Sequence, residues 1–186
     1  MDKYGVIHGR FQGLHKGHLE YLLAGMSRCE HLYIGITNFD SQATKSIDKV
    51  NPKRTNLSEN PFSYYERYCM IKEAMLEAGV RQENFDIVPF PIEEPERISN
   101  YVPMNGVFYI TVYDQWGIRK KALLDNLGVK TIVMWTRTNE ERLTSGTEVR
   151  MLIRENNSRW KELVPNSVVN YIMKNELEQK IREWPL

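Results

Sequence analysis

The sequence predicts an α/β fold, an open parallel sheet with helices on both faces. Three observations carry that expectation. Short apolar runs that read as strands recur along the chain, and segments with apolar residues at helical spacing separate them. The first strand also turns through glycines straight into a helix. In chain order, Tyr4–His8 and His31–Thr37 read as buried strands, and between them Leu19, Leu22, Leu23 and Met26 mark one face of a helix. That is a β-α-β unit, so the two strands are expected to be parallel with a right-handed crossover. A polar stretch, 38–60, precedes a helix whose core face is Ile71, Ala74, Met75 and Ala78, with Gly79 as its stop. Strand-like runs follow at Phe85–Phe90, Val107–Val112 and Thr131–Trp135. A helical face of Trp116, Leu123, Leu124 and Leu127, ending at Gly128, separates the last two. From Ser145 the pattern is helical, with a break near Asn156–Ser158. Its tail aligns Val169, Ile172, Met173, Leu177, Ile181 and Trp184 on one face.

At 186 residues the chain reads as a single domain, 1–186, with a C-terminal helical segment from about 145. Lys plus Arg (25) nearly cancel Asp plus Glu (24), which argues against a nucleic-acid binder. No apolar run has the length of a membrane span, and the segment after Met1 lacks the apolar stretch of a signal peptide. Cys29 and Cys69, both within helical patterns and without a Cys-x-x-Cys pair, read as reduced thiols, which points to the cytoplasm.

The strongest chemical signal is His8-Gly9-Arg10-Phe11-Gln12-Gly13-Leu14-His15-Lys16-Gly17-His18, which follows the first strand and opens the first helix. The first N–H groups of a helix have no intrahelical partner, and its positive end favours phosphate. Gly17 allows close approach of an anion. His15 and His18 share one side of a helical turn, and Arg10 and Lys16 add charge. Such a cluster aims donors at a pentacoordinate phosphorus. The plainer reading is a pair of polar residues at a helix start; two histidines flanking a glycine, with basic residues beside them, weigh against it. Zinc is disfavoured, because no acidic or Cys partner sits at ligand spacing.

Downstream, Thr144-Ser145-Gly146-Thr147-Glu148-Val149-Arg150 starts another helix. Ser145 and Glu148 fit a capping box, which explains those two residues but leaves Gly146 and Arg150 unexplained. A helix start with hydroxyls and an arginine one turn in suits a polyphosphate. Lys45, Lys49, Lys53 and Arg54 read as part of a solvated loop, with closure over a triphosphate as the sharper alternative.

Together, "GRFQGLHKGH" and "SGTEVR" resemble the HxGH and ISSTxxR signatures of the nucleotidylyltransferase superfamily, most closely its archaeal-type nicotinamide mononucleotide adenylyltransferases. "NPFSYYER", "IVPFPIEE" and "WKELVPNSVVNYI" are similar as well, so the resemblance covers most of the chain. It implies a Rossmann-like fold that joins a nucleoside triphosphate, carrying Mg²⁺, to a phosphorylated acceptor and releases pyrophosphate without a covalent intermediate. Carried over, His15, His18 and Arg150 are catalytic, His18 stabilising the transition state. Gly9, Arg10, Phe11, Lys16, Gly17, Arg67, Ser145, Gly146 and Thr147 bind nucleotide. For Arg67 the plainer reading is a solvated helix arginine paired with Glu66 or Glu73.

The chain departs from the family in three places. Gly13-Leu14 stands for the usual Pro-Phe. No tryptophan follows the IVPFPIEE-like strand, where Tyr101 is the substitute stacking ring for the acceptor. A Ser-Gly-Asn turn is replaced by Thr111-Val112-Tyr113-Asp114. The triphosphate end is intact and the acceptor end altered. Three readings follow: AMP transfer from ATP to nicotinamide mononucleotide, giving NAD; AMP or CMP transfer to another phosphorylated small molecule; and an inactive nucleotide-binding sensor. The expected partners are small molecules, not nucleic acid or membrane, and a homo-oligomer is compatible with all three.

Overall fold

A computed structural model describes residues 1–40, 57–138 and 140–185 of the chain. Lys45, Lys49, Lys53 and Arg54 lie outside the described residues. The contacts divide the chain into two compact units, each built from three segments.

The first unit comprises residues 1–10, 21–37 and 81–142 and contains a five-stranded sheet. Its strands are β1 (Asp2–Gly9), β2 (Cys29–Ile36), β3 (Phe85–Pro89), β4 (Val107–Val112) and β5 (Lys130–Thr136), all parallel in the order β3-β2-β1-β4-β5. β1 is central, and its residues Gly5 to His8 form an unbroken buried run, as expected where both faces are covered. Alternation along β1 sends Val6 and Ile7 to opposite faces. Ile7 meets Gly25 of helix α1 (Lys16–Met26), whose second half belongs to this unit. Val6 joins Phe108, Ile110 and Leu124, the last from helix α3 (Gln115–Asn126). Helices therefore flank the sheet on both faces. The chain order reverses between β1 and β4, and open sheets of this kind bind ligands outside the strand carboxyl ends at that point.

The second unit comprises residues 11–20, 38–80 and 143 onward, and it is helical. Helix α2 (Tyr64–Glu77) packs on α6 (Asn166–Lys174), and α4 (Gly146–Arg154) packs on α5 (Trp160–Leu163) and α7 (Leu177–Glu183). A full capping box opens α2: Ser63 Oγ accepts from Glu66 N, and Glu66 accepts from Ser63 N.

The structure corrects several expectations. Cys29 opens β2 instead of lying in a helix, because α1 ends at Met26. Burial pushes its thiol up to about 11. Ala78 caps α2 and is exposed. The tail is two helices rather than one periodic face. Glu176 adopts a left-handed conformation (φ 54°) between α6 and α7, which resets the register. Val168, Ile172, Leu177 and Ile181 are buried, whereas Met173 is 47% exposed.

Candidate active site

In the second unit the chain enters α1 through a tight turn. Phe11 is buried although it holds φ at 51°, a conformation that side-chain-bearing residues adopt only under constraint. Gly13 has φ 85°, which glycine tolerates without cost. The buried Gln12 amide clamps the turn, donating to Phe62 O (2.9 Å) and accepting from Phe62 N (3.0 Å). His15 is buried just before α1, and its Nδ1 accepts from the backbone N–H of His18 at 3.2 Å. A neutral ring accepting at Nδ1 carries its proton on Nε2, so it presents a donor there. The His15 and His18 rings stack with centroids 3.7 Å apart at 22°, and the Phe11 ring meets His18 edge-on at 5.1 Å. Lys16 is exposed and Gly17 half-buried in the same first turn.

Ser145 caps α4 by accepting from Glu148 N at 3.1 Å. Only that half of the expected box forms, because the Glu148 carboxylate accepts instead from the Thr144 hydroxyl at 2.9 Å. A Cβ on Gly146 would overlap the Gln12 carbonyl oxygen, so this position must be glycine for α4 to lie against the turn. Arg150 is 2% exposed; it donates to Gln12 O (2.7 Å) and to the Glu59 carboxylate in a short ion pair, and it lies 3.4 Å from Thr147 Oγ1. The two motifs, distant in sequence, are one constellation: two histidines, a buried guanidinium and two helix starts.

Arg67 is 1% exposed, which rules out a solvated arginine. It donates to Ser63 O (3.1 Å) and Asn38 O (2.7 Å), while Glu66, its supposed partner, binds Lys180 Nζ at 2.7 Å. Arg67 walls a cavity of about 500 Å³ shared with Gln12, Phe62, Tyr64, Lys180 and Trp184. Burial, with Tyr68 nearby, pushes the Tyr64 phenol up, and Arg67 opposes that shift. Gln12 and Glu59 were not singled out by the sequence. Gln12 sat inside a recognised motif, but Glu59 lies in a polar stretch with no periodicity to mark it.

In the first unit, Gly9 and Arg10 lie at the carboxyl end of β1, where Gly9 O accepts from Thr37 N at 2.9 Å. Tyr101 follows the 3-10 turn Pro95–Asn100, is half-buried, and packs on the cluster that includes Ile98 and Val102. Asp114, in the altered turn after β4, caps α3 by accepting from Gly117 N at 3.0 Å. Among the described residues no group of three or more His, Cys, Asp or Glu is placed to hold a metal, and no helix is long and apolar enough to cross a membrane.

Comparison with known proteins gives consistent matches. The family model described as cytidylyltransferase-like matches residues 6–152. A phosphonoformate cytidylyltransferase of Streptomyces viridochromogenes is 46% identical over 96% of this chain and 95% of its own length. A nicotinamide-nucleotide adenylyltransferase of Methanococcus aeolicus is 30% identical over 95% of this chain and 92% of its own. Among solved structures, a bifunctional NMN adenylyltransferase/ADP ribose pyrophosphatase of Francisella tularensis, complexed with AMP and Mn ion, aligns with a TM-score of 0.64 at 20% identity. That alignment covers 98% of this chain and 52% of the other, and it bears on the fold alone.

Proposed function

The chain belongs to the cytidylyltransferase-like family and is a nucleotidylyltransferase, and from that premise we propose that it transfers CMP from CTP to a small phosphonate of the phosphonoformate class. The observation that carries this reading is the 46% identity to the phosphonoformate enzyme along nearly the whole chain. The placement of Tyr101 agrees with it. Tyr101, which the sequence offers in place of the family's stacking tryptophan, packs on the first unit's core, as suits an acceptor with no ring to stack.

In the proposed reaction an acceptor phosphonate oxygen attacks the α-phosphorus of CTP. The bond from that phosphorus to the bridging oxygen of the β-phosphate breaks, and pyrophosphate leaves with the electron pair. The starts of α1 and α4 supply backbone N–H groups and the positive ends of two dipoles. His15, its proton on Nε2, and His18 donate to oxygens on which charge develops, and His18 acts mainly on the transition state. The Arg150 guanidinium is a planar fork suited to phosphate oxygens. Gly9, Arg10, Phe11, Lys16, Gly17, Arg67, Ser145, Gly146 and Thr147 complete the proposed nucleotide-binding set. Mg²⁺ would enter with the substrate as Mg–CTP, where its charge would offset that of the phosphates.

A second reading, AMP transfer to nicotinamide mononucleotide, rests on the relative from Methanococcus aeolicus and on Tyr101, whose ring offers a π-face. Incubation with Mg²⁺ and each of the four triphosphates, against phosphonoformate and nicotinamide mononucleotide, separates the two. Pyrophosphate release with CTP and phosphonoformate, and a mixed anhydride by ³¹P NMR, is the expected result. NAD from ATP replaces the first reading with the second. Silence with every pair favours a binding protein without turnover.

A further inference from the structure

Glu59 belongs to neither motif, yet its carboxylate lies on the donors that the proposed reaction assigns to phosphate. It ends the 3-10 turn Leu57–Glu59, and its side chain is half-buried. Glu59 Oε2 accepts from Arg150 Nη2 in the short ion pair described above and lies 3.5 Å from the Thr147 hydroxyl. That hydroxyl is itself 3.4 Å from Arg150 Nη2, so three polar groups meet at one point in the first turns of α4. Arg150 Nη1 is engaged elsewhere, donating to Gln12 O at 2.7 Å.

A carboxylate oxygen and a phosphate oxygen make the same demand on a guanidinium, a charge-assisted bond in the plane of the fork. They cannot share one position, and a carboxylate held there repels an arriving polyanion. A buried guanidinium, in turn, is costly without a counter-charge, and Glu59 supplies one. The backbone beneath Glu59 is anchored separately. Arg154, one turn further along α4, donates to Ser58 O at 3.3 Å. The carboxylate can therefore leave by rotation of its own side chain while the turn keeps its place on α4.

We propose that Glu59 is a displaceable counter-ion of the triphosphate subsite. Its carboxylate leaves Arg150 and Thr147 when the phosphates of the nucleotide arrive, and it returns as pyrophosphate departs. The inference rests on the nucleotidyl transfer proposed above, in which Arg150 and Thr147 bind phosphate. Glu59 then weakens triphosphate binding and pyrophosphate retention by the same factor, because both anions displace the same charge. A residue that only positioned Arg150 would do the reverse and strengthen both.

The test is calorimetric titration of the full chain, as wild type and as Glu59→Gln, with inorganic pyrophosphate and Mg²⁺ and then with CTP. Glutamine keeps the shape of the side chain and removes its charge. Pyrophosphate affinity should tighten about 10-fold in Glu59→Gln, with CTP affinity following to the same extent. Glu59→Asp keeps the charge but is one methylene shorter, and it should tighten pyrophosphate by about 2- to 3-fold. It also serves if the glutamine variant fails to fold. Thermal melts add a second readout. Glu59→Gln should melt below wild type, because Arg150 loses its counter-charge, and pyrophosphate should raise its Tm by more than it raises that of wild type. In turnover, the KM for the triphosphate and the inhibition constant of pyrophosphate should fall together. Unchanged or weaker pyrophosphate affinity in the folded variant overturns the proposal and makes Glu59 a brace for Arg150. Absence of saturable pyrophosphate binding from wild type and variant alike overturns it together with the phosphate-binding role of Arg150. Pyrophosphate binding needs neither base nor acceptor, so failure of CTP and phosphonoformate turnover, with pyrophosphate still tightened in the variant, leaves this inference standing.

Discussion

The turn around His15 and the corner around Tyr101 are held in place by different physics. At the turn, buried polar groups hold one another: Gln12 locks Phe62, Arg150 bonds Gln12 O and pairs with Glu59, and His15 receives the His18 N–H. At the corner, Tyr101 rests on the apolar cluster that includes Ile98 and Val102, with the Arg97 guanidinium beside its hydroxyl. A buried polar lattice tolerates little substitution, because each loss strands a partner. An apolar corner accepts other rings and other shapes at modest cost. In the function proposed above, the step that breaks a phosphoanhydride belongs to the turn.

His18→Ala is the hardest test of that contrast. It should lower kcat by ~10²–10³ and leave the KM for the triphosphate nearly unchanged, as measured by pyrophosphate release. A near-normal kcat would remove the chemistry from the turn. Arg150→Lys comes next. It keeps the charge near Glu59 but loses the fork, and kcat/KM for the triphosphate should fall by about 10- to 100-fold. Wild-type kinetics in that variant would make Arg150 a structural brace only. Tyr101→Ala sharpens the other side. Loss of a half-buried ring should lower stability by about 1–3 kcal/mol while the acceptor KM moves less than about twofold. A rise of about 2- to 30-fold, confined to nicotinamide mononucleotide, would mark Tyr101 as a stacking platform.

The smallest effect is expected at the first residue of β1. The Tyr109 hydroxyl donates to Asp2 Oδ2 at 2.7 Å and holds the carboxyl below its ordinary value, with Lys130 assisting. A depressed carboxylate stabilises the fold above its unfolded value, and that contribution is lost as pH falls through the folded value. Asp2→Asn should therefore lower Tm slightly at neutral pH, with the gap to wild type closing in acid. A gap that persists unchanged into acid would assign the effect to packing instead of charge.

Most of the sheet was legible because its strands are short buried runs bounded by glycine and polar residues, and the helix starts at His15 and Ser145 are local patterns. What escaped was non-local or depended on single dihedrals. Nothing around Arg67 signals that its head is buried against Asn38 O, and nothing near Glu59 signals Arg150. The left-handed Glu176 carries no glycine to announce it, so a break in the tail passed for continuous periodicity and Met173 was placed inside. The same applies to Glu148, where a matching motif hid a competing acceptor relationship with Thr144.

The bond from Arg150 to the Gln12 carbonyl joins residues 138 apart in the chain, which ties the birth of the site to the order of synthesis. A ribosome makes the histidine turn well before its arginine brace. Until then Gln12 O has no guanidinium to meet, and closing so wide a loop is entropically slow. A nascent or truncated chain therefore displays both histidines without the constellation that gives them purpose. Competence waits for the second motif to emerge.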